Sequence, residues 1–202
     1  NSKKEFTQNK LYKFTFQCCI KGFNKMKKIF FILIIMFSFF TKGSANYTQL
    51  AHEFKFNSID GQSIDLNEYK NKVIVVVNVA SRCGFTNQYK DLQYLWKNYK
   101  DKNLIVIGVP TNDFKQEPGS NADIKNFCET NFNVNFPITG KINVLGENAH
   151  PFYKWAKENF GKAAVPKWNF HKIIIGKDGK VADTFASITN PSSKKFINFI
   201  EE

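Results

Sequence analysis

Hydrophobic and polar positions alternate between two regimes along the chain, and each regime predicts its own elements. Val73 to Val79 is almost continuously apolar and β-branched, the pattern of a strand covered on both faces, and Leu104 to Val109 repeats it. Between them, Tyr89, Leu92, Leu95, Trp96 and Tyr99 recur at helical spacing within Asn87 to Lys100. Asn121 to Phe132 puts Ile124, Phe127 and Cys128 on one helical face, and Pro151 to Phe160 predicts a further helix. Glu53 to Asn57 and Ser63 to Leu66 flank Asp60-Gly61 as an opening hairpin. Lys172 to Ile175 and Val181 to Phe185 are strands joined by Lys177-Asp178-Gly179, and Pro191 to Glu202 is a closing helix.

Two buried-type strands separated by a helix make a parallel βαβ unit. The order βαβ, α, ββα is that of an α/β protein with a thioredoxin-like fold, a central mixed sheet flanked by helices. The 202 residues suffice for one sizeable core.

The formal net charge of +12 first suggests a polyanionic partner. Its distribution removes that reading. Nine Lys and a single acid, Glu5, fall in the first 45 residues, and from Asn46 onward 20 basic residues face 16 acids, an ordinary balance that argues against nucleic-acid binding. Within that basic segment, Lys27-Lys28 precede an apolar run, Ile29 to Phe40, broken only by Ser38, and the small residues Gly43, Ser44 and Ala45 follow. This is the order of a secretory signal peptide, and a run of about 12 residues is short against the ~20 of a membrane span, so an anchor is the weaker alternative. The division expected is residues 1–25 as an upstream extension of unread role, 26–45 as the signal peptide and 46–202 as the folded domain. The destination is the secretory route or the exterior, the periplasm in a bacterial source. Asn46-Tyr47-Thr48 fits an N-glycosylation acceptor.

Cys18 and Cys19 lie in the leader, which leaves Cys83 and Cys128 in the folded part. Two cysteines make no disulfide scaffold. Cys83 stands just beyond the first buried strand and ahead of a helix, where open α/β sheets gather their sites. The N–H groups of that helix start and the adjacent Arg82, the only arginine in the chain, both favour a thiolate, the nucleophilic form. His52, His150 and His171 are too scattered for a metal site, so no metal is expected.

The segment Asn78-Val79-Ala80-Ser81-Arg82-Cys83-Gly84-Phe85-Thr86 resembles the active-site loop of glutathione peroxidases. Three further segments match in order: Pro110 to Ser120 with Gln116-Glu117-Pro118-Gly119-Ser120, then Phe136-Pro137, then Trp168-Asn169-Phe170. The resemblance implies that Cys83 attacks the peroxide and that Gln116, Trp168 and Asn169 converge on its sulfur, with Arg82 as electrostatic support. An amide and an indole can both donate hydrogen bonds to a thiolate or to the oxygen leaving an O–O bond. The sequence departs from the family in two places. Asn112-Asp113-Phe114 is followed by Lys115 alone before Gln116, a loop one residue shorter. Cys128 stands one position before the resolving cysteine of plant-type members, where Glu129 now is, as in some bacterial relatives; it is either a resolving thiol or a small buried residue on a helix face.

The resemblance further implies an external thiol reductant, a thioredoxin-type protein or glutathione, in place of a bound cofactor. It also implies hydrogen peroxide and organic or lipid hydroperoxides as substrates. The short stretch between His150 and Trp168 resembles monomeric members with open sites. Thr86 stands where a Cys-X-X-Cys pair would need its second sulfur, which argues against a thiol–disulfide oxidoreductase. A non-enzymatic protein keeping the fold is favoured only by the shortened Lys115 loop.

Overall fold

The computed structural model describes residues 47–201; the expectations for residues 1–45, for Asn46 and for Glu202 lie outside them. Its four-stranded sheet has the order β4-β3-β5-β6, with β3 spanning Val73–Val79, β4 Leu104–Pro110, β5 Lys172–Ile175 and β6 Val181–Phe185. Pairing of β3 with β4 is parallel, while β3 with β5 and β5 with β6 are antiparallel, so the sheet is mixed as expected. The hairpin of β1 (Lys55–Asn57) and β2 (Ser63–Asp65) forms a separate two-stranded sheet. Helix α1 is Gln88–Tyr99, α2 Asn121–Phe132, α3 Pro151–Phe160 and α4 Lys194–Glu201.

Alternation along the buried strands sorts their side chains into two cores. Ile74, Val76, Ile105, Ile107, Val109, Ile173 and Ile175 face the hairpin and α3, where Phe54, Phe56, Phe152 and Trp155 pack. Val75, Val77, Val79, Leu104, Val106 and Ile174 face α1, α2 and α4 through Tyr89, Leu92, Leu95, Ile124, Cys128 and Phe196. Covering on both faces is why these strands read as continuous apolar runs.

The element bounds differ from the pattern-based ones at their polar ends. Ala51–Glu53 turns as a 3-10 segment before β1, and Leu66 begins another, capped by Asp65 accepting from the Asn67 N–H. Pro191 to Ser193 form a turn instead of helix, in which the Asn190 side chain accepts from Ser192 N and Oγ. Helix α2 starts where Ser120 and Asp123 exchange reciprocal bonds, Ser120 Oγ accepting from Asp123 N and Asp123 Oδ2 accepting from Ser120 N.

The outer edge of β4 is not left open. Gly108 N donates to Pro137 O and Gly108 O accepts from Thr139 N, both at 2.9 Å, so the segment after Phe136-Pro137 lies along it and links it to the hairpin through Ile59 N and Ile138 O. This protects an apolar edge from pairing with another chain. The approach is close: a Cβ at Gly108 would meet the Phe136 ring at 3.1 Å and press on it. Gly179, with a positive φ of 77°, closes the β5–β6 turn where a Cβ would lie 2.7 Å from the His52 ring.

One charged side chain breaks the apolar pattern of the sheet. Lys172 is fully buried at the start of β5, its Nζ donating to Gln88 Oε1 at 2.5 Å and to the Thr189 carbonyl at 2.6 Å. Desolvation pulls it down to about 7 from an ordinary 10.5, only partly offset by Asp91. The unfolded chain binds this proton below 10.5, the folded chain only below about 7. Stability is therefore expected to rise with pH across that window and to level off beyond it. Denaturant unfolding from pH 7 to 10 checks this: Lys172→Met should lose that part of the slope, whatever its stability at a single pH.

Candidate functional site

Strands β3 and β4 run in register from Val73 opposite Leu104 to Val79 opposite Pro110, so their carboxyl ends finish side by side. The pairing extends one bond further, Thr111 N donating to Val79 O at 3.1 Å. Two loops leave this end together. The first carries Ser81, Arg82 and Cys83, and the second Asn112 to Ser120.

Cys83 is buried, with 5% of its surface exposed, and opens a series of tight turns that winds into α1. Its carbonyl accepts from Thr86 N, then Phe85 O from Gln88 N, and Thr86 O from Tyr89 N. Arg82, the neighbour expected to support it, is exposed, and its backbone N–H donates to the Gln116 carbonyl at 3.0 Å.

The second loop turns tightly ahead of Gln116. Lys115 N donates to Asn112 O at 2.9 Å, closing a turn, and Lys115 takes a positive φ of 60°. A non-glycine residue seldom adopts that conformation, and here it precedes Gln116 directly. The Gln116 side chain then meets the third element: its Oε1 accepts from Asn169 Nδ2 at 2.9 Å. With the oxygen of this amide engaged, its NH2 is the end that can donate elsewhere.

The third element is strained as well. Phe170, bulky and fully buried, has φ 63° at the bend between Asn169 and β5. The bend is fixed by Asn78, whose carbonyl accepts from Phe170 N at 2.6 Å and whose side-chain Nδ2 donates to the Trp168 carbonyl at 3.1 Å. Trp168 is 42% exposed, and its ring packs on Phe114 of the second loop with centroids 5.5 Å apart. Asn169 is fully buried. The structure thus brings the loops of Cys83, Gln116 and the Trp168-Asn169 pair into one hydrogen-bonded group.

Cys128 belongs to the same apolar cluster as Cys83, and both thiols are free. Burial pushes the Cys128 thiol up to about 11, although the Tyr89 hydroxyl beside it acts in the opposite direction. Tyr89 is itself fully buried, its ring held by Phe127 and Phe132 of α2 and by Phe170. Among the described residues no cluster of His, Cys, Asp and Glu could hold a metal ion.

Sequence reasoning did not single out two residues of this group. Asn78 had a visible signal, as the single polar residue in an apolar strand. Glu117, 1% exposed, was quoted within its motif without a role, since the amino-acid order cannot tell a buried carboxylate from a surface one.

Comparisons with known proteins identify the family. Residues 51–157 match the glutathione peroxidase family. The chain is similar to the glutathione peroxidase-like peroxiredoxin 2 of Saccharomyces cerevisiae, 46% identical over 138 residues covering 66% of this chain and 85% of that one. It is also similar to the hydroperoxy fatty acid reductase gpx1 of Synechocystis sp., 40% identical over 157 residues covering 73% of this chain and 93% of that one. The crystal structure of Trgpx in apo form matches with a TM-score of 0.59 and 39% identity, over 77% of this chain and 97% of that one. The chain belongs to the glutathione peroxidase family, oxidoreductases that reduce hydroperoxides with thiols.

Proposed function

We propose that Cys83 is the peroxidatic residue and that Gln116, Trp168 and Asn169 assist its attack. The observation that carries this is the bond from Asn169 to Gln116 beside the Arg82–Gln116 link, which ties all three segments to the Cys83 loop. The Cys83 thiolate attacks the terminal peroxide oxygen; the S–O bond forms as the O–O bond breaks, and the departing oxygen takes a proton to leave as alcohol or water. The Gln116 NH2 and the Trp168 indole N–H are the donors suited to that oxygen, and neither is a base. The product is a Cys83 sulfenic acid.

A second thiol then displaces water from the sulfenic acid and forms a disulfide. We assign this step to Cys128. A thiol at about 11 is ionised to only about 10⁻⁴ at pH 7, so the packed helix holds it inert. Opening of α2 would return it to ordinary thiol acidity and let it reach Cys83. The helix is built for this, with Asn121, Asn126, Thr130 and Asn131 among its residues, all of modest helix propensity. A thioredoxin-type protein would reduce the resulting bond, with glutathione as the alternative reductant. The half-buried Phe114 and the exposed Trp168 beside the loop suit the acyl chain of a lipid hydroperoxide, the substrate type in the name of the Synechocystis relative. The chain is proposed to act as a monomer in the secretory route, on the strength of its short segment before Trp168 and its charged, apolar, small-residue leader.

Three outcomes test this reading. Cys83→Ser should abolish peroxide consumption while the domain stays folded, and changing Gln116 or Trp168 should slow sulfenic acid formation by about 10²–10³; retained turnover in Cys83→Ser would rule out the mechanism. One equivalent of peroxide should leave an intramolecular 83–128 disulfide by mass spectrometry, and Cys128→Ser should stall as a sulfenic acid that thioredoxin does not recycle. A wild-type sulfenic acid beside an untouched Cys128 thiol would assign Cys128 to the core instead. Secreted protein should begin close to Asn46 on N-terminal sequencing, and retention of Phe30 to Phe40 would identify an anchor.

A further inference from the structure

The geometry points to Glu117 as a positioning residue, a buried carboxylate that clamps the Cys83 loop to the Gln116 loop. Its Oε2 accepts both donors of one residue, Ser81 N at 2.7 Å and Ser81 Oγ at 3.0 Å. Ser81 stands two positions before Cys83, and Glu117 directly follows Gln116. The clamp therefore acts at one end on the nucleophile's backbone and at the other on the residue that supplies a donor amide.

Glu117 is held as firmly as it holds. Its backbone N–H donates to Asn112 Oδ1 at 3.0 Å, and Lys141 Nζ lies on the far side, donating to the Gly119 carbonyl at 2.5 Å and to the Glu117 carbonyl at 3.4 Å. Lys141 is itself anchored, its backbone N–H donating to Asn121 Oδ1 at 3.0 Å. Burial pushes the Glu117 carboxyl above its ordinary range, against the lowering effects of the Ser81 bonds, Lys141 and Arg82. A carboxylate placed at that desolvation cost contributes most where its bonds fix geometry, and charge-assisted bonds to N–H and O–H are among the stronger ones. Reacting groups misplaced by ~1 Å lose about 10²-fold in rate, so the clamp acts on catalysis through position alone.

This inference rests on the proposed roles of Cys83 and Gln116, and two substitutions separate position from charge. Glu117→Gln keeps an acceptor oxygen at the same reach and loses the charge, whereas Glu117→Asp keeps the charge and withdraws it by one methylene. Stopped-flow measurement of Cys83 oxidation by hydrogen peroxide should find Glu117→Gln within about tenfold of wild type and Glu117→Asp slower by about 10². Alkylation of Cys83 by iodoacetamide, which needs no donor from Gln116, should change by less than about threefold in both. Equal peroxide rates in the two variants, or a slow Gln beside a fast Asp, would overturn the clamp, as would parallel losses in peroxide and iodoacetamide reactivity. If Glu117→Asp does not fold, Ser81→Ala, which removes one of the two donors, is read in its place and should slow peroxide attack while sparing alkylation; an unchanged peroxide rate there overturns the inference equally. Wild-type Cys83 that peroxide does not oxidise would instead sink the peroxidatic reading itself, and it is measured before any Glu117 variant.

Discussion

Register between β3 and β4 is the constraint on which the site depends, because parallel strands deliver their following loops to the same end of a sheet. Seven paired positions, from Val73 with Leu104 to Val79 with Pro110, leave the Cys83 loop and the Gln116 loop no choice but to emerge as neighbours. A slip of one residue would turn every side chain of a strand to the opposite face. Val77 and Val79 would exchange one core for the other, so packing on both faces enforces the register that the chemistry needs. Strand β5, antiparallel to β3, starts at that same end and brings Trp168 and Asn169 with it.

Polar groups crowd this end of an otherwise apolar sheet. Asn78, Glu117, Asn169, Gln88 and Lys172 are all buried, and each would be costly there without partners. Their bonds run between elements more than within them: Asn78 to Trp168, Glu117 to Ser81, Asn169 to Gln116, and Lys172 to Gln88 and Thr189. The positive φ values at Lys115 and Phe170 belong to the same arrangement, since local strain survives where surrounding bonds over-determine the backbone. Desolvation and strain at this end of the sheet are offset by bonds that fix these side chains relative to one another.

The two cysteines share one apolar cluster but stand on different elements of the fold. Cys83 lies in a loop at the carboxyl end of a strand, while Cys128 lies in a helix pressed on the sheet with its ionisation suppressed by desolvation. Tyr89 packs its ring between Phe127 and Phe132 of α2 and Phe170, which joins that helix to the bend after Asn169.

Periodicity in the sequence determined most of the architecture. Runs of β-branched residues placed the core strands, helical spacing placed three of the four helices closely, and glycine turn signals placed both hairpins; bounds moved most at the Ala51–Glu53 turn, at Asp65 and at the Asn190 to Ser193 turn, where local backbone bonds competed. Motif resemblance marked Cys83, Gln116, Trp168 and Asn169, because those residue types recur around this chemistry in order along the chain. Tertiary structure alone decided what those residues touch. The left-handed turn at Lys115 and the bond from Asn169 to Gln116 that follows it are visible only in three dimensions. Nor could the sequence separate Glu117 from any surface glutamate or distinguish a suppressed Cys128 from an active one. Burial and hydrogen-bond partners are set by residues distant in the chain, and a one-dimensional pattern carries no record of which distant group will fill the space beside a side chain.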